Sequence, residues 1–127
     1  MSQENVEKVR RGIDAFNAGD DDTALALYDP EVEIQTLLGH QYRGHDGFRA
    51  ASAELRDTLI GPTMELDELI DAGDSVVCTL RLGGRGRSSG VEHPGGDLFA
   101  IAYAFRDGLV VAQRSFRSKD EALEALS

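Results

Sequence analysis

Two histidines, a tyrosine, an arginine and an aspartate fall within residues 37–48, LLGHQYRGHDGF. Such a mixture can hold a metal or move protons if the side chains converge. A metal site built on regular structure wants ligands at i and i+4 of a helix or i and i+2 of a strand. His40 and His45 are instead five positions apart, across Gln41, Tyr42, Arg43 and Gly44, a spacing that belongs to a turn. No metal is expected here. Asp46 is placed to cap the helix that follows, and His45 reads as a solvated shoulder beside it.

Glu92 and His93 form a second candidate, an adjacent acid–base pair, with Asp97 beyond Pro94, Gly95 and Gly96. Neighbouring residues of a strand point to opposite faces. The pair can act on one substrate atom only if the proline and glycines twist the chain, and otherwise it is a polar hairpin shoulder. Glu92, His93 and Asp97 are the candidate catalytic residues. RLGGRGRSSG, residues 81–90, raises the question of anion binding. A phosphate-cradling loop puts its glycines before a helix N-terminus. These glycines lie between two strand-like runs, so the stretch reads as a flexible hairpin, with anion capture the alternative. The single cysteine, Cys78, alternates with valines and reads as a small buried hydrophobe.

The elements that must position these groups follow from periodicity. Val6, Val9, Ile13 and Phe16 recur as one stripe of a helix. Gly19 suits its left-handed end, and Asp20 to Asp22 offer an N-cap for a second helix over 23–28. That helix stops at Asp29, which Pro30 pushes out of the helical region. EVEIQT reads as a strand, GHQYRG as a tight connection, and HDGFRAASAELRDTL as a third helix with Phe48, Ala51, Leu55 and Leu59 on one face. Gly61 and Pro62 then break the chain. The second half changes period to two strands joined by DAGD and two more joined by RDG, where Asp-Gly is a strong hairpin signal. Ser118 and Glu121 form a capping box that opens a short terminal helix.

At 127 residues the chain suits a single domain, 1–127, with one core. Thirteen basic residues against 23 acidic ones give a formal charge of −10. That surface repels phosphate backbones and anionic lipid, so neither nucleic acid nor a membrane is expected as a partner. No apolar run approaches the roughly 20 residues of a membrane helix, and a reduced, cytoplasmic setting is expected.

Helices ahead of a strand meander describe an α+β fold, with three N-terminal helices packed on a curved, mostly antiparallel sheet and a short C-terminal helix. Val76, Cys78, Leu80 and Leu82 alternate with Val77, Thr79 and Arg81, and Ala100, Ala102 and Ala104 with Ile101, Tyr103 and Phe105. Neither face is clearly polar, so both must be covered. Helices can cover one. A second copy of the chain is the simplest cover for the other, giving a homodimer through the outer sheet face.

FNAGDDDTALALYDPEVEIQ, then YRGHDGFRA, then AFRDGLV at the last hairpin resemble the SnoaL-like polyketide cyclases of the nuclear transport factor 2 (ketosteroid isomerase-like) superfamily, over nearly the whole chain. The resemblance implies a cone-shaped NTF2-like, or cystatin-like, barrel around a deep and mostly apolar pocket. It also implies where chemistry would sit. The steroid isomerases' tyrosine, carboxylate base and protonated carboxyl register on Gly12, Gln35 and Leu98, none of which can do the work. Asp97 is one step from Leu98 and faces the other way unless a bulge intervenes. The cyclases' aspartate base, with its histidine and glutamine, finds its nearest counterpart in Glu92-His93. The Asp-Arg-Asp of epoxide hydrolases finds only Arg81.

If Gln35 faces inward, the register of the last strand turns Val111, Gln113, Ser115 and Arg117 the same way, with Tyr28 close by and Thr79 or Arg81 joining from a neighbouring strand. Tyr28, Gln35, Thr79, Arg81, Gln113, Ser115 and Arg117 are thus the candidate ligand-binding residues, suited to a small organic molecule with a carbonyl or hydroxyl. Two readings stay open. One is a cofactor-independent isomerase, cyclase or hydrolase acting on a small cyclic or polyketide-like metabolite. The other is a non-catalytic ligand-binding or structural homodimer.

Overall fold

The first helix, α1 (Ser2–Asn17), buries Val9 and Ile13 from the expected stripe. It ends as Gly19 takes φ 73, with Gly19 N–H donating to Phe16 O at 3.0 Å and Asp20 N–H to Ala15 O at 2.8 Å. This paired closure is a Schellman motif, which satisfies carbonyls the helix itself cannot. Asp20 then caps α2 (Asp21–Leu25) by accepting from Thr23 N–H at 3.1 Å. These coordinates are a computed structural model describing residues 2–86, 92–93 and 98–126.

The second helix is shorter than its sequence pattern suggested. Tyr28 opens the strand β1 (Tyr28–Gln35), because its backbone pairs alongside Val110 instead of closing another helical turn. Pro30 sits where that pairing shifts register, between Tyr28 and Glu33. A residue without an N–H is tolerated at such an irregularity. β2 (Gln41–Arg43) folds back on β1 and runs straight into α3 (Gly44–Thr58). Gly44 adopts φ 76, and a Cβ there would stand 3.0 Å from Pro30 O, so both conformation and space call for glycine. The helix therefore starts before Asp46 can cap it. Arg43 occupies the cap position without a side-chain bond to the helix, and Asp46 lies in the first turn, where the helix dipole favours its charge.

Gly61 and Pro62 bend the chain without ending a strand. β3 (Leu59–Ala72) passes through both, with a register shift between Ile60 and Thr63 against β4 (Ser75–Gly86). β3 lies at the edge of the sheet, where a missing N–H costs least. β5 (Glu92–His93) adds a short pairing to β4, and β6 (Phe99–Arg106) and β7 (Leu109–Phe116) complete the sheet in the order β2-β1-β7-β6-β4-β3. Every pairing is antiparallel except β1 with β7. The β6–β7 turn has Asp107 at φ 53 and Gly108 at φ 78, two consecutive left-handed residues that match the sheet's twist. α4 (Lys119–Ala125) follows, with Ser118 Oγ accepting from Glu121 N–H at 3.2 Å.

Two apolar layers result. On the inner face Val76, Cys78, Leu80, Ile101 and Tyr103 meet Val9, Ile13, Leu25 and Phe48 of the helices. On the outer face Val77, Ala100 and Ala102 pack against Ala122 of α4, with Ile70 and Phe116 at the margin. Lys119 Nζ also reaches Glu68 on β3 at 3.2 Å. The apolar outer face thus has a cover within its own chain. The short terminal helix supplies that cover over Val77, Ala100 and Ala102, a part of the face that the sequence reading left to a second copy.

Candidate functional site

Between α1, α3 and the inner face of the sheet lies a cavity of about 380 Å³. Phe16, Phe48, Ala51 and Leu55 form its helical wall, Leu59, Met64 and Leu82 the far wall, and Ile34, Phe99, Ile101, Gln113 and Ser115 the floor. Leu37 and Leu38 project beside the opening, 44% and 73% exposed. The helical wall is fixed by Asn17. Its side-chain amide donates to Met64 O at 2.9 Å, and its Oδ1 accepts from Met64 N–H at 2.8 Å, clamping the end of α1 to β3.

The floor carries the polar groups. Tyr28 is buried, its ring tilted 60° against Phe48 with centroids 5.0 Å apart, and its hydroxyl donates to Oε1 of Gln113. Burial pushes the phenol well above its ordinary range, so it remains a donor. Among the described residues Gln113 Nε2 makes no hydrogen bond, and Ser115 lines the cavity two positions along the same strand. In the inner core beside the cavity, burial pushes the Cys78 thiol up to about 12 and raises the phenol of Tyr103 well above its ordinary range.

Gln113 and Ser115 therefore border the cavity, and Tyr28 reaches it through Gln113. Gln35 lies differently from its expected place. The parallel register sets Ile34 beside Gln113 and Gln35 beside Arg114, so Ile34 is the inward residue at this level. At the strand's end Gln35 edges both the cavity and an outer groove shared with Glu33, Arg43 and Arg114. Thr79 and Arg81 belong to the outer face, because Cys78 and Leu80 on the same strand are fixed in the inner core. Thr79 Oγ1 donates to Asp67 Oδ2 at 3.1 Å, and Arg81 stands opposite Glu65. Arg117 is exposed beyond the end of β7. Glu92 and His93 pair their backbones with Arg85 and Gly84, while their side chains, and Asp97 entirely, lie outside the described residues.

The two histidines of the opening stretch serve separate contacts. His45 Nε2 lies 3.0 Å from Tyr28 O, tying the start of α3 to β1, which makes it a structural pin instead of a solvated shoulder. His40 Nδ1 lies 2.6 Å from Oε1 of Glu54, and Tyr42 donates to the same oxygen at 2.8 Å. The hydrogen bond from His40 holds the Glu54 carboxyl below its ordinary range, aided by Tyr42 and opposed by burial. Glu54 lines the cavity and was missed from sequence. Its signal was spacing: Ala51, Glu54, Leu55 and Thr58 form one stripe of α3, and all four face the hollow.

The model of the SnoaL-like domain matches residues 9–113. No curated protein matches the sequence. Solved structures with the same fold include Bal32a from a soil-derived mobile gene cassette, at TM-score 0.80 and 22% identity over 98% of this chain and 96% of that one. TerC, co-crystallised with polyporic acid, superposes at 0.79 with 22% identity over 95% and 96% of the two chains. An NTF2-like protein from Burkholderia pseudomallei K96243 does so at 0.78 with 20% identity over 95% of each. With the matched model spanning the helices, the cavity and the last strand as far as Gln113, this chain belongs to the SnoaL-like domain family.

Proposed function

We propose that the protein binds a small, largely apolar molecule carrying a carbonyl or hydroxyl oxygen, and that this molecule is the substrate of a cofactor-independent isomerase- or cyclase-type reaction. The observation that carries the reading is the bond from Tyr28 to Gln113. With its oxygen engaged from below, the amide offers two N–H donors to whatever enters, a recognition element for an acceptor oxygen in an otherwise apolar hollow. A cavity of about 380 Å³ falls within the ordinary range for small-molecule sites. A fold neighbour co-crystallised with polyporic acid and another in complex with trimethylamine agree with a small organic occupant.

A thermal-shift screen of cyclic ketones, lactones and polyketide-like aromatics tests the reading. A ligand at about 100 times its dissociation constant stabilises the fold by roughly 2.7 kcal/mol. The shift should be lost in Gln113→Leu, which keeps the volume and removes the donors. A screen without a shift, or a shift indifferent to Gln113→Leu, would reject the proposal.

A further inference from the structure

Among the described residues lining the cavity, Glu54 is the one with an ionisable side chain. A carboxylate beside an apolar hollow ordinarily swings out to water or takes up a proton. This one is held in place from a different element. His40, in the connection between β1 and β2, and Tyr42, in β2, both bond Oε1, at 2.6 and 2.8 Å. The connection is itself pinned, with His40 N–H donating to Thr36 Oγ1 at 3.1 Å and Thr36 N–H to His40 O at 2.9 Å. Both of these bonds fall on Oε1, and a carboxylate has further lone pairs with which to accept a proton. A carboxylate held in place at the wall of an apolar hollow is the arrangement general-base catalysis requires.

We propose that Glu54 is the general base of the cavity, taking a proton from an acidified C–H bond of the bound molecule, with His40 and Tyr42 as its positioning residues. The inference rests on reading the cavity as a ligand site. As the C–H bond breaks, its electron pair moves into the molecule and the proton stays on Glu54. It then returns to another atom of the same molecule or passes to water. The hydrogen bonds that lower the carboxyl's basicity suit it to C–H bonds already weakened by a carbonyl, nitro group or ring nitrogen.

A nitrobenzisoxazole tests this without knowledge of the natural substrate. Removal of its ring C–H proton forms the nitrile as the N–O bond breaks, the oxygen leaves as a coloured cyanonitrophenolate, and no further reactant is needed. The full-length protein should catalyse the opening with saturation, and Glu54→Gln should lower kcat/KM by about 100-fold or more. Glu54→Asp keeps the charge and withdraws it by one methylene, so it should also lose most of the rate, which guards against misfolding in the Gln variant. In His40→Gln the acidic limb of the kcat/KM profile should move up in pH. Among the described residues the titratable groups bonded to Glu54 are His40 and Tyr42, so a fixed limb would remove His40 from the role. A probe that raises the melting temperature yet opens equally fast with wild type and Glu54→Gln overturns the base and leaves the ligand reading intact. Neither shift nor turnover overturns both.

Discussion

The hydroxyl of Tyr28, at the first residue of β1, donates to the side-chain oxygen of Gln113 in β7, joining positions 85 residues apart in the chain. One bond thus does two things: it satisfies a phenol buried under the floor of the cavity, and it fixes which end of the amide meets the interior. Tyr28→Phe keeps the ring against Phe48 and leaves Gln113 free to turn. The expected cost is about 1 kcal/mol in urea denaturation. In a double-mutant cycle with Gln113→Leu the two losses should fail to add, as befits partners in one bond.

Cys78 is fully buried between β3 and β6, and its thiol is pushed up to about 12. The thiolate is the reactive form. Labelling by an aromatic disulfide reagent at pH 8 should therefore proceed no faster than the protein opens, and should become complete within seconds in denaturant. Rapid labelling of the native protein would contradict the packing described for this strand.

Glu54 predicts an acid limb to stability. Its folded carboxyl binds a proton less readily than the ordinary value of 4.5 implies, so its contribution is complete above that pH and is lost as pH falls through the lower folded value. Urea midpoints between pH 7 and pH 3 should fall less steeply for Glu54→Gln than for the wild type, and the two curves should converge at the acid end.

Ala122 is fully buried where α4 meets Val77, Ala100 and Ala102. Ala122→Asp buries a charge with no partner in that layer. The loss should exceed about 2 kcal/mol, and the uncovered apolar face should cause self-association on gel filtration. A monodisperse variant of unchanged stability would show that α4 does not seal the sheet.

Much of this architecture was legible before any coordinates. The stripe of α1, the glycine that ends it, the Asp-Gly hairpin and the Ser118 cap are local devices, decided by residues a few positions apart, and each stands where its chemistry demands. The misreadings share a different origin. Whether Thr79 or Leu80 faces the hollow depends on which side of β4 the helices choose, and alternation alone cannot say. Gln35 borders the cavity as expected, but at the strand's end, and its pairing with Arg114 leaves Ile34 as the residue beside Gln113. Asp46 looked like a cap because nothing local reveals that Gly44 lets β2 run directly into the helix. Glu54 went unremarked since a glutamate on a helix is usually solvated, and the partners that hold it come from another element.

The parallel pairing of Ile34 with Gln113 joins an early strand to the last one made. As the chain leaves the ribosome, both helices of the wall and the first strand are available long before β7 is made. Until that last hairpin emerges, the interior lies open underneath and the amide that would greet a guest has yet to be synthesised. The occupancy proposed above would therefore wait for near-complete translation, because Gln113 and Ser115 both lie on β7.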